Sequence, residues 1–189
     1  MIVKLYTLRD PVRLSKVFSF LVLLVAFPTS LAAQEIFKYS DFPVFRTYSE
    51  EPNMPDFAYT SAHYSHFEAP IKEQLREAPS FAGEFSIVEI GCGTGCSSVA
   101  VVNHRTGDVF GFPRGGEYNQ GLEVQYKVDS RLVLVRWFTD SLWENCILES
   151  LVFDEEGRWV AKGAIASRVA EGGGKCEGDI ESEIAATLR

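Results

Sequence analysis

Four kinds of side chain in this sequence have types and spacings that could do chemistry. The first is the set Cys92, Cys96, Cys146 and Cys176. Four thiolates would satisfy tetrahedral zinc, but one Cys-x3-Cys and two isolated cysteines supply only part of the paired spacing that zinc sites use. An even count reads instead as two disulfides, which an oxidising compartment favours. Three pairings are possible. Cys92 with Cys96 and Cys146 with Cys176 is the favoured one, because Gly93 and Gly95 allow a five-residue segment to fold back on itself.

The second is His63-x2-His66 followed by Glu68, which offers three nitrogen or oxygen ligands. On a proline-rich aromatic stretch these read as surface or turn histidines. The third is a set of hydroxyls and carboxylates. Ser97 and Ser98 would need a histidine such as His104 brought to them by the fold, and no Gly-x-Ser-x-Gly elbow is present. Asp154, Glu155 and Glu156 fall in a turn, where acidic side chains hydrogen-bond locally. The fourth is aromatic. Trp137, Phe138 and Trp159 suit a core, whereas Trp143 lies in the loop Thr139 to Asn145. A large apolar group exposed in a loop is unusual without a partner, so Trp143 is the expected binding residue. No catalytic residue, metal or cofactor is assigned.

The elements that must position these groups are mostly strands. Leu122, Val124, Tyr126 and Val128 alternate with Glu123, Gln125, Lys127 and Asp129, the pattern of a strand with one wet face. Residues 85–90, 97–102, 108–112, 132–138, 146–153 and 158–161 are rich in β-branched and aromatic residues and are separated by turn signals. Pro70 to Ala78 predicts a short surface helix with Pro70 at its first position and Ile71, Leu75 and Ala78 inward. Gly172 to Gly174 reads as a flexible hinge, and Asp179 to Leu188 as a terminal helix. Residues 83–112 and 121–162 each resemble a strand pair with a glycine or acidic turn, but two such units are too few for a closed propeller. The expected fold is mainly β: an antiparallel meander sheet, sandwich or half-barrel like, with one or two short peripheral helices.

Val88-Glu89-Ile90-Gly91-Cys92-Gly93-Thr94-Gly95 resembles the first motif of the S-adenosylmethionine-dependent methyltransferases. That resemblance implies cofactor contacts at Glu89, Gly91, Gly93 and Gly95. The surroundings argue otherwise. A doubly wound fold needs a helix after the glycine turn, yet Cys96 to Asn103 is β-branched. The following strands are spaced as hairpins, and the 94 residues after Gly95 leave little room for crossovers of at least about 10–12 residues each. A wider segment carries a second likeness. Phe81 to Ser86, Gly91-Cys92-Gly93-Thr94-Gly95-Cys96, Thr106 to Val109 and Asp129 to Leu132 are similar to a group of small exported bacterial proteins of unknown function. The likeness covers residues 81–138 and implies an export signal and a β-rich body, with no activity, ligand or catalytic residue attached.

Export is also read from the N-terminus. Lys4, Arg9, Arg13 and Lys16 precede the apolar run Val17 to Phe27, and Pro28 to Ala33 follows with small residues at Ser30 and Ala32. This is the pattern of a signal peptide over residues 1–33, with an apolar run too short to span a bilayer. The chain then divides into that segment, an aromatic and proline-rich arm over 34–68 packed on the body, and a single β-rich domain over 69–189. The whole chain has a formal charge of −8. Removing residues 1–33 takes away four basic residues and one acidic one, leaving 14 basic and 25 acidic, a charge of −11. That charge argues against nucleic acid and anionic membrane surfaces as partners and favours a cationic one, while its ordinary role is to maintain solubility.

The expectation is therefore an exported, periplasmic or secreted protein with no membrane span after cleavage. It would be a disulfide-stabilised, non-catalytic binding or inhibitor module for a cationic protein or cell-wall component. The alternative is an enzyme, either a methyltransferase on the glycine motif or an envelope hydrolase using Ser97 or His104.

Overall fold

The computed structural model describes residues 37–169 and 176–188. The expected signal peptide, residues 1–33, and the expected hinge at Gly172 to Gly174 lie outside the described residues. The protein is mainly β. Strands β1 (Phe85–Gly93), β2 (Cys96–Asn103) and β3 (Val109–Gly111) form one antiparallel meander. Strands β4 (Gln120–Tyr126), β5 (Leu132–Phe138), β6 (Asn145–Phe153) and β7 (Trp159–Arg168) form a second. The sandwich alternative thus holds, with two separate sheets and no closed barrel among the described residues. The two segments that resembled each other in sequence correspond closely to the two sheets.

Alternation along the strands decides the layers. Ile87, Val99 and Val101 of the first sheet meet Leu122, Val133, Val135, Leu151 and Phe153 of the second in one core. Odd and even positions of a strand point to opposite faces, so Val88, Ala100 and Val102 face outward from that core. They are covered by Phe67 and by Ile71 and Leu75, the buried positions of helix α1 (Glu68–Gln74) and the turn after it. On the far side, Leu132, Leu134, Leu148 and Val152 are covered by Tyr39 and by Ile180 and Ile184 of helix α2 (Ile180–Thr187). The order of layers is helix, sheet, sheet, helix.

Two boundaries differ from expectation for local reasons. Helix α1 starts two residues before Pro70 and ends at Gln74, leaving Ala78 exposed. Proline is tolerated there because amides in the first turn have no helical acceptor. Strand β7 runs seven residues past Ala161, because the register skips Lys162 between the pairs Leu151–Ala161 and Ser150–Gly163. A bulge of one residue interrupts the alternation without ending the strand.

Residues 37–67 run across the body with little regular structure, bonded by their backbone. The Arg131 amide donates to the Phe42 carbonyl, the Tyr48 amide to Gly83, and the Asn53 amide to His104. Among the described residues, no helix is long and apolar enough to cross a membrane.

Candidate functional site

The four cysteines pair as Cys92–Cys96 and Cys146–Cys176, with Cα separations of 5.1 and 6.0 Å. Among the described residues none is free. The first disulfide closes the β1–β2 hairpin across Gly93-Thr94-Gly95, where both glycines have positive φ (139° and 68°). The glycine motif therefore ends in an antiparallel strand, and it builds no strand–turn–helix for a cofactor. Glu89 lies opposite Val99 on that hairpin. Burial pushes its carboxyl up, and it lines a polar cleft of about 460 Å³ with Tyr39, Gln125, Lys127, Asp179 and Glu181.

The second disulfide joins β6 to the segment leading into α2. Cys146 lies directly across from Phe138 at the end of β5. From there the loop 139–144 projects, and its shape comes from one carboxylate. Asp140 accepts from the amides of Leu142 (3.0 Å), Glu144 (3.1 Å) and Asn145 (2.8 Å), and from the Asn145 side chain (3.1 Å). The Glu144 amide contributes most to holding Asp140 below the usual carboxylate range, followed by the Asn145 amide and side chain and the Leu142 amide. This network carries Trp143 in the left-handed region at φ +60°.

Trp143 bends back onto the hairpin. Its ring lies 4.8 Å from Phe138, centroid to centroid. Beneath it are Gly95 and Gly121, which touch through a 2.7 Å hydrogen bond from the Gly121 amide to the Gly95 carbonyl. A Cβ at Gly95 would come within 3.1 Å of the indole, and one at Gly121 within 2.7 Å. The absence of side chains at these two positions is what lets the ring settle. Cys92, Cys96 and Trp143, 47 residues apart at the closest pair, thus meet in one tip of the molecule.

The tip is apolar and acidic. Tyr118, Leu142 and Trp143 are 93%, 76% and 43% exposed. A cleft of about 190 Å³ beside them is lined by Glu117, Tyr118, Gln120, Phe138, Thr139, Asp140 and Ser141. Glu144 faces Arg168 at 3.5 Å, and Glu117 makes no ion pair among the described residues. Tyr118, Gly121 and Asp140 were not singled out in the sequence. Asp140 followed by Asn145 is a readable loop signal, whereas Tyr118, on the 3-10 turn Gly116–Tyr118, and Gly121, at the start of β4, come from a separate part of the chain.

The other expected groups are placed elsewhere. His63 and His66 are exposed and line a cleft with Ser98 and Arg114, while Glu68 binds Lys72 at 2.6 Å. Among the described residues, no group of three or more His, Cys, Asp or Glu side chains is arranged to hold a metal ion. His104 does not meet Ser97 or Ser98. It lies beyond the opposite end of β2 from them, roughly 20 Å along the strand from Ser98, and its Nε2 is 2.8 Å from the Ser86 hydroxyl. Both members of that pair are buried, and burial pushes the imidazole pKa down, favouring its neutral form. Asp154 accepts from the Glu156 and Arg158 amides at 3.0 and 2.8 Å, closing the β6–β7 turn.

No known family matches the chain, and neither do any curated proteins or solved structures.

Proposed function

We propose that the chain is an exported, non-catalytic binding module, and that the tip around Trp143 docks a positively charged segment of a partner protein. The observation that carries this reading is the exposed trio Tyr118, Leu142 and Trp143 on a rigid support. The Cys92–Cys96 hairpin lies beneath Trp143 through Gly95, and Asp140 fixes the loop that carries Leu142 and Trp143. Aromatic anchors held rigid lose little entropy on binding and commonly dominate interface energy. The charge favours a cationic occupant, since Glu117 and Asp140 line the cleft beside the tip of a chain carrying −8 overall. Electrostatic complementarity of this kind speeds association and is weakened by salt.

Titration calorimetry with a synthetic Arg- and Lys-rich peptide tests this, with a soluble peptidoglycan fragment as the competing ligand. Salt-sensitive binding of the peptide, weakened about tenfold or more by Trp143→Ala or Tyr118→Ala, is the expected result. Salt-insensitive binding of the peptidoglycan fragment alone, or no binding of either, would overturn it.

A further inference from the structure

The two disulfides differ in the properties that govern thiol exchange. Cys146 and Cys176 are 1% and 2% exposed, within the core under α2. Cys92 is exposed and Cys96 half-buried. Gly91 pairs with Ser97 and Gly93 with Cys96, so Cys92 is a bulge residue with no residue opposite it. The Ser98 hydroxyl donates to Cys92 Sγ at 3.6 Å. A hydrogen bond to the charged form stabilises it, so Ser98 favours Cys92 as a thiolate. Access and a stabilised leaving thiolate are what make a disulfide exchange readily.

We propose that Cys92–Cys96 is an exchange-active disulfide that oxidises a dithiol stoichiometrically, one per molecule and without turnover. A substrate thiolate attacks Cys96 Sγ, forming a mixed disulfide as the Cys92–Cys96 bond breaks. Cys92 leaves as the thiolate that accepts the Ser98 hydrogen bond. The second substrate thiolate then attacks the substrate sulfur of the mixed disulfide and expels Cys96. The substrate gains one disulfide and loses two electrons and two protons, which end on Cys92 and Cys96 as two thiols. Reduction also frees the Gly93–Gly95 turn on which Trp143 rests.

The test incubates the folded, oxidised protein with a synthetic peptide carrying two reduced cysteines. Acid quench, alkylation and peptide mass mapping then follow each cysteine pair. Cys92 and Cys96 should be alkylated in step with peptide oxidation, roughly tenfold or more faster than Cys146 and Cys176. Ser98→Ala should slow the step roughly three- to tenfold, and Ser98→Thr, which keeps the hydroxyl, should restore it. Trp143 emission should change as the thiols appear, and the change should vanish in Trp143→Phe. Opening of both disulfides together at the rate of global unfolding would overturn the proposal, and so would a Ser98→Ala rate equal to wild type. No cationic ligand is present, so this result and the binding result stand or fall separately.

Discussion

Trp143 shows how one carboxylate can hold an unfavourable residue in place. The left-handed conformation costs a residue with a Cβ roughly 1–2 kcal/mol, and Asp140 offsets this by gathering four donors around the loop. The pH dependence follows from the depressed Asp140 pKa. The carboxylate's contribution is complete above its unfolded value, about 3.9, and is lost as pH falls through the lower folded value. Acidification from about pH 5 to about pH 2 should therefore shift the Trp143 emission, and the shift should be missing in Trp143→Phe. A flat wild-type profile across that range would contradict the role given to Asp140. The cysteine pairing was legible because the spacing and the glycines between Cys92 and Cys96 are local facts. Trp143 was legible as a loop aromatic for the same reason. Its supports were not, because Gly95 and Gly121 come under the indole only through long-range packing.

Helix α2 has eight residues, too few to persist alone, so its stability comes from what it covers. Ile180 and Ile184 pack on β5 and β6, and Asp179 caps the first turn by accepting from the Ser182 amide at 2.8 Å. Beneath it Arg136, 2% exposed, sits on the face shared with Leu132 and Leu134. Its guanidinium donates to Glu183 of α2 at 3.2 Å, to the Gly178 carbonyl at 3.2 Å, and to Glu123 of β4. Arg136→Ala leaves Glu183 poorly exposed and without this partner, and should cost about 3–5 kcal/mol. Replacing both, Arg136→Met with Glu183→Leu, should cost less than that single change. Urea midpoints measure the difference, and equal midpoints for Arg136→Ala and wild type would refute the ion-pair account. Strands were readable from alternation wherever it was unbroken. The end of β7 was not, because the Lys162 bulge shifts the alternation by one, and neither was the start of α1, because proline fits any position of a first turn and so does not mark which residue begins it.

Across the whole molecule, the two meanders and the N-terminal segment converge on Gly83. Its carbonyl accepts from Tyr48, its amide donates to Val128, and a Cβ there would overlap the Arg46 carbonyl oxygen at φ +77°. Gly83→Ala should cost about 2–4 kcal/mol. Gly116→Ala, at φ +68° with open space around it, should cost only about 1–2 kcal/mol. Thermal or urea unfolding compares the two, and equal losses would remove the steric part of the argument. The sequence showed two similar strand groups, but their stacking brings Val101 and Val133 into one core, which no local pattern reveals. The covalent ties have a simpler order. Neither disulfide encloses or interleaves with the other. A chain oxidised in the order of its synthesis, each cysteine joining the next to emerge, would arrive at the native connectivity. Of the three ways to pair four cysteines, it is the one that needs no reshuffling afterwards.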